Sequence, residues 1–304
     1  MHTGFYDYRS SGDAGPQAAM WEANNINAIL ILAHGTTEHI ERYDKFASSM
    51  ASRGVAVTGI DLRGHGHNPG DPDVVEYQPG DWQRTVEDVQ QLLEFWDRKF
   101  PSMPKFLMGF SLGSFVVQDL LKTYPRNKLA GVILMGTGHQ PGWLLRIMRR
   151  IVAGQIKKVG FDKPSALVRK LSFGVYNDKF KPNRTDVDWL SANEAAVDAY
   201  LADPLVRRQT SAGMFWELLG SMQRHSSGAE YANWDKDLPV LLISGSEDPV
   251  GNAGKGVATV CRQMKKAGMK DVTMHLIPGA RHAILMDSPK EVQNIIVDWV
   301  KAHE

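Results

Sequence analysis

The heptapeptide MGFSLGS (Met108–Ser114) sets a single serine between two glycines, directly after an apolar run. A serine hydroxyl is a poor nucleophile at neutral pH. It attacks a carbonyl carbon only with a base beside it, usually a histidine oriented by a carboxylate. Gly-x-Ser-x-Gly is short enough to arise by chance, so the partners of Ser111 must be sought elsewhere in the chain. LLISGSEDPVG puts Asp248 just past one apolar run, and LIPGARHAI puts His282 just past the next. Taken singly, Asp248 reads equally well as a turn-forming aspartate before proline, and His282 as a surface or internally satisfied histidine. Glu247 is the neighbouring alternative acid. The order Ser, Asp, His at three strand ends gives the set its weight. Acyl transfer also needs N–H donors for the developing oxyanion. The amide of Leu112, directly after the serine, is one. The turn His34-Gly35 after AILILA points to the amide of Thr36 as the other. His34 itself, beside a glycine in a turn, reads as structural rather than as a base.

The elements that must hold these residues follow from periodicity. Six short apolar runs bounded by turn signals read as buried strands: Ala28–Ala33, Val55–Ile60, Phe106–Gly109, Leu129–Met135, Val240–Gly245 and Val272–Ile277. Amphipathic helices are predicted at Trp82–Phe100, Phe115–Thr123, Lys255–Lys266 and Glu291–Val300, the last with a capping box at Ser288, Pro289 and Glu291. FYDYRSS and QAAMWEA are weaker candidates for an antiparallel pair at the sheet edge. Strands alternating with helices imply an α/β fold with a mostly parallel sheet covered on both faces. Ser111, between a strand and a helix, then stands on a nucleophile elbow, and Asp248 and His282 fall on the same sheet edge. The alternation stops between about Gly138 and Leu238, where the sequence is helical and irregular. The expected organisation is a core of residues 1–137 and 239–304, with residues 138–238 inserted as a helical cap.

Composition narrows the classes. In 304 residues, 43% are hydrophobic and 23% charged, which argues against disorder and fibrous structure. The formal net charge of +1 gives no overall attraction to nucleic acid. Cys261, the single cysteine, excludes an intrachain disulfide and reads as a buried thiol in an amphipathic helix. No apolar run approaches the roughly 20 residues that span a bilayer, and the start is too polar for a signal peptide. A cytoplasmic location is expected. No cofactor or metal is required. Arg63, His65 and His67 could suggest metal ligation, but no further carboxylate or histidine is clearly arranged to complete a site.

The segments AHGTTEHIERY (Ala33–Tyr43), DLRGHGHN (Asp61–Asn68), GFSLGS, SGSEDPVG (Ser244–Gly251) and PGARH (Pro278–His282) together resemble the α/β-hydrolase superfamily. Within it, the chain is most similar to the monoacylglycerol lipase and lysophospholipase branch, grouped in some schemes with serine aminopeptidases. The likeness covers nearly the whole chain. The stretch DWLSANEAAVDAYLADPLV (Asp188–Val206) looks like the cap of bacterial members described as lysophospholipases. The resemblance implies Ser111, Asp248 and His282 as a triad, with Thr36 and Leu112 as oxyanion donors. Two departures touch the pocket rim: HNPG follows Arg-Gly-His-Gly, and Ala283-Ile284 follows the histidine.

The implied reaction is hydrolysis of a small acyl ester, a monoacylglycerol or lysophospholipid, through an acyl-Ser111 intermediate. Between residues 142 and 184 stand eleven Lys or Arg against Asp162 and Asp178, a local charge of +9. With Leu144, Ile147 and Ile151 among Arg146, Arg149 and Arg150, this reads either as a solvated face or as a basic amphipathic helix contacting anionic lipid surfaces. The latter would place the protein peripherally at the inner membrane surface. An aminopeptidase or amidase on the same scaffold would need an acidic pocket. A catalytically silent binding protein would usually lack a triad member. Hydrolases of this fold with an aspartate nucleophile are opposed by the serine. The oligomeric state is not legible.

Overall fold

The computed structural model describes residues 2–9, 16–125 and 127–304. Among the described residues the ten strands are β1 (His2–Tyr6), β2 (Ala18–Trp21), β3 (Ala28–Ala33), β4 (Val55–Ile60), β5 (Val74–Val75), β6 (Lys105–Phe110), β7 (Gly131–Met135), β8 (Gln209–Thr210), β9 (Val240–Gly245) and β10 (Val272–Ile277). Eight form one sheet in the order β1-β2-β4-β3-β6-β7-β9-β10. From β4 to β10 every neighbour is parallel. The weak N-terminal candidates do form an antiparallel pair at the edge, and β2 continues antiparallel onto β4. The tail of FYDYRSS, residues 10 and 11, lies outside the described residues.

The central strands are apolar throughout because both sheet faces are covered. On β3, Ile29 and Ile31 enter the core beneath the helices Asp81–Lys99 and Leu112–Thr123, whereas Leu30 and Leu32 enter the core beneath Asp44–Ala51 and Pro289–Ala302. Successive side chains of a strand point to opposite faces. Burying each such side chain contributes about 1.5–3 kcal/mol. The capping box expected at Ser288 is not made: its side chain forms no cap hydrogen bond. Ser288 also ends the short helix Ile284–Asp287, and its N–H already goes to the Ile284 carbonyl. Glu291 therefore finds no free N–H there to close the box. Cys261 is buried, as its helix pattern predicted.

Between β7 and β9 the chain is helical. The helices Gly142–Val159 and Ala212–His225 pack together, and β8 pairs with β5. Helix Ala212–His225 also joins the main core through Met214, Phe215 and Leu219. Its end is tied down at Asp119 of helix Leu112–Thr123, which accepts from Trp82 Nε1 at 2.8 Å, Arg224 Nε at 3.2 Å and His225 Nε2 at 3.0 Å. On helix Gly142–Val159 the buried residues are Leu145 and Val152, while Trp143, Ile147 and Ile151 face outward. The helix thus carries two apolar stripes, only one of them used for packing.

Candidate active site

Ser111 stands where β6 turns into helix Leu112–Thr123, with φ 51° and ψ −115°. Its N–H is held by the Met135 carbonyl at 2.9 Å. A non-glycine residue with positive φ is strained, and the flanking glycines explain how the turn tolerates it. A Cβ on Gly109 would lie 2.3 Å from the Gly113 carbonyl oxygen, and one on Gly113 would lie 2.0 Å from that of Ala33. Neither position has room for a side chain.

Asp248 and His282 stand past the carboxyl ends of β9 and β10, on the edge that also carries Ser111. Asp248 is fully buried, and its Oδ1 meets His282 Nδ1 at 2.9 Å. The same carboxylate accepts Ser244 Oγ at 2.8 Å and the Val250 N–H at 2.8 Å. Glu247 is exposed and does not compete. Because Nδ1 faces a carboxylate, it carries the proton, leaving Nε2 as the imidazole's acceptor. Nε2 is buried and has no hydrogen-bond partner among the described residues. The rings of Phe110 and Trp189 flank the imidazole at 4.9 and 5.1 Å. Ser111 and His282 line one cavity of about 480 Å³. No direct Ser111–His282 hydrogen bond is formed among the described contacts.

Thr36 and Leu112 line the same cavity, and neither N–H has an acceptor among the described residues. The Thr36 N–H shares a planar peptide with the Gly35 carbonyl, so whatever holds one aims the other. His34 Nδ1 donates to that carbonyl at 2.7 Å, and His34 Nε2 accepts the Leu62 N–H at 2.9 Å. Burial lowers the pKa of His34, in keeping with a neutral ring. Its role is structural. The Gly35 N–H is taken by Glu38 Oε1 at 2.7 Å, which also accepts Tyr43 Oη at 2.7 Å. The turn is held from both sides.

The residues of the loop Arg63–His67 are likewise engaged. Arg63 makes a bidentate pair with Asp88 at 2.6 and 2.9 Å. His65 Nδ1 donates to the Arg63 carbonyl at 2.8 Å, and burial pushes the pKa of its ring down to about 3. His67 contacts Asp61 at 2.9 Å. No group of three His, Cys, Asp or Glu with the geometry to hold a metal occurs among the described residues.

Several contributors were not singled out from sequence. Ser244 lies four residues before Asp248, within a stretch quoted only for its aspartate. Trp189, which flanks the imidazole, and Tyr200, which lines the cavity, lie between β7 and β9, where no local pattern marks which side chains turn toward the site. The remaining cavity wall is largely apolar, with Phe115, Phe173, Phe215, Leu218 and Met286. Such a lining suits a hydrocarbon chain, and the polar elbow sits at its wall.

Comparison with known proteins agrees with this architecture. The family model described as serine aminopeptidase, S33 (Hydrolase_4) matches residues 24–289. Monoglyceride lipase of Mus musculus is 28% identical over 276 residues, covering 90% of this chain and 81% of that protein. Monoacylglycerol lipase of Mycolicibacterium smegmatis is 25% identical over 283 residues, covering 90% and 88%. The solved structure of a highly thermostable carboxyl esterase from Bacillus coagulans, in complex with glycerol, superposes with TM-score 0.87 at 21% identity, covering 99% of this chain and 98% of that one. The chain belongs to the serine aminopeptidase S33 family of α/β-hydrolases.

Proposed function

We propose that this protein is a serine hydrolase of carboxylic esters, acting on monoacylglycerol or lysophospholipid-type substrates. The observation that carries the reading is the buried Asp248–His282 pair, whose Nε2 has no partner among the described residues and whose histidine lines the same apolar cavity as Ser111. Ser111 Oγ attacks the ester carbonyl as His282 Nε2 takes its proton, and Asp248 stabilises the imidazolium. The N–H groups of Thr36 and Leu112 receive the oxyanion. Collapse of the tetrahedral intermediate breaks the ester C–O bond, and His282 returns the proton to the departing alcohol. Water, deprotonated by His282, then attacks the acyl carbon, and His282 returns that proton to Ser111 Oγ as the fatty acid leaves. Hydrolysis of a short p-nitrophenyl ester by the Ser111→Ala variant is the test. Near-complete loss with an unchanged fold is expected, and retained turnover refutes the assignment.

The ester reading is preferred over an aminopeptidase on electrostatic grounds. A substrate ammonium needs a free carboxylate, whereas Asp178 is paired with Lys181 at 2.9 Å and Asp186 with Arg169 at 3.2 Å. Glu38 holds Gly35 and Tyr43. These are the carboxylates at the cavity, and Lys170 and Arg208 line it as well.

Residues 138–238 serve in this reading as the cap over the acyl chain, and its outer face docks on lipid. Apart from Phe5, every exposed large hydrophobic among the described residues lies between Trp143 and Val175. Trp143, Ile147 and Ile151 recur every four residues on one helix, and Leu167, Leu171 and Val175 do so on the next stretch. Arg146, Arg150 and Lys157 are exposed on the first helix. An apolar ridge edged with cations suits an anionic interface, placing the enzyme peripherally on the cytoplasmic side of a membrane. No helix among the described residues is long and apolar enough to cross one. Vesicle cosedimentation at low salt should favour anionic over zwitterionic lipid. Equal affinity for both refutes the electrostatic part.

A further inference from the structure

The turn that carries the Thr36 donor is followed by a strained residue. Thr37 has φ 71°, in the left-handed region where a β-branched side chain is an outlier. Such a conformation persists only when its surroundings over-determine it. Here the restraints come from the insertion. The Thr37 hydroxyl donates to the Thr36 carbonyl. Its oxygen also lies 2.6 Å from Tyr200 Oη, 163 positions along the chain. One hydroxyl has one proton, so with that proton given to Thr36 the Tyr200 phenol must be the donor. Burial raises the phenol pKa to about 12, which keeps the donor protonated. The Thr37 carbonyl accepts the Arg207 N–H at 2.9 Å.

Tyr200 is itself held in place. The Arg42 guanidinium lies 4.9 Å from its ring centre. At the end of the same helix, Asp203 binds Arg42 Nη1 at 3.0 Å and His39 Nε2 at 2.9 Å. The helix Glu194–Ala202 is therefore fastened to the segment following the oxyanion turn.

We propose that Tyr200 is a positioning residue for the oxyanion hole: its phenol orients Thr37 Oγ1, which holds the Thr36 carbonyl and so fixes the peptide after the Thr36 Cα, while His34 holds the peptide before it that carries the N–H. His34 aims the Thr36 N–H from within the core, and Tyr200 adds a restraint on the same residue from the segment between β7 and β9. The inference rests on the ester-hydrolase reading of the site. It makes the cap part of transition-state stabilisation as well as a cover for the acyl chain, because an oxyanion donor acts only within hydrogen-bond distance of the developing charge.

Tyr200→Phe removes the phenol and keeps the ring against Arg42. The readouts are kcat and KM on a short p-nitrophenyl ester, plus the inhibition constant of a trifluoromethyl ketone. Ser111 Oγ adds to the ketone carbon, its proton passes to His282, and the carbonyl π pair becomes an oxyanion in the hole. Losing one donor outright costs about 10²–10³ in kcat, and a displaced one should cost about tenfold. KM should change less than about twofold, and the ketone should weaken as kcat falls. Thr37→Ala should match this loss, Thr37→Ser should recover most of it, and the Y200F/T37A double variant should lose no more than either single one. An unchanged kcat, a fall in kcat with ketone affinity intact, a change confined to KM, or additive losses would overturn the proposal. Ser111→Ala separates the two levels. If it stays active, the ester-hydrolase reading and this inference fall together; if it is dead and Y200F matches wild type, only this inference falls.

Discussion

Replacing Asp248 with asparagine removes a charge while leaving a geometry the site can accept. Oδ1 of Asp248 takes two donors, His282 Nδ1 and the Val250 N–H, whereas Oδ2 takes only the Ser244 hydroxyl. An asparagine amide NH₂ at the Oδ1 position would oppose two N–H groups. Placed at Oδ2, it meets a hydroxyl that can turn and accept. The carbonyl of the substituted side chain therefore faces His282, and the proton stays on Nδ1. In the proposed mechanism, what is lost is the attraction between the carboxylate and the imidazolium formed as His282 takes the serine proton. With Nδ1 and Oδ1 2.9 Å apart, the charge centres are about 4 Å apart, and an effective dielectric near 20 gives about 4 kcal/mol. That corresponds to about 10³ in kcat. The expected loss is smaller than the roughly 10⁴ seen when such a substitution also reverses the tautomer. Steady-state hydrolysis of a p-nitrophenyl ester measures it, with thermal unfolding as the control for folding. A D248N enzyme retaining more than about a tenth of wild-type kcat would refute the reasoning, because the ion pair would then contribute under about 1.4 kcal/mol.

Other perturbations probe the frame around the site. Gly113→Ala puts a methyl group 2.0 Å from the Ala33 carbonyl oxygen; it should cost about 2 kcal/mol or more and lower Tm by roughly 3 °C or more, so an unchanged Tm would contradict the packing account. Asp119 is held well below the usual carboxylate range: burial opposes this and is outweighed by hydrogen bonds from His225 and Arg224. A depressed folded pKa contributes stability above the unfolded value of about 3.9 and loses it as pH falls further. Asp119→Asn should therefore cost about 2 kcal/mol at neutral pH and flatten the acid decline in Tm below about pH 4; a parallel decline in both proteins would contradict that assignment.

The fold was legible because its determinants are local. Apolar runs such as AILILA and VLLISG are buried on both faces, so they show no alternation and can be read without partners. The glycines of MGFSLGS are demanded by the turn itself. Asp248 and His282 were legible for a related reason: each follows a strand, and parallel strands deliver their carboxyl ends to one edge. Element ends were less clear. The Ser288 capping box failed because a short helix just before it, unmarked in the sequence, had already claimed the serine's N–H.

The insertion marks the limit of local reading. Its helix Gly142–Val159 was expected from periodicity, but the stripe formed by Ile147 and Ile151 faces outward while Leu145 and Val152 pack inward. Both stripes are compatible with a helical period, and only the position of helix Ala212–His225 decides between them. By itself the sequence determined the sheet, the elbow and the residues gathered at its edge. Tertiary structure alone decided that the Leu62 N–H holds His34 in the ring orientation that aims the peptide of Thr36, and that Tyr200 reaches Thr37 from 163 positions away. Local pattern reports what a segment buries. Which partner it meets across more than a hundred residues depends on how the helices of the insertion settle on the sheet.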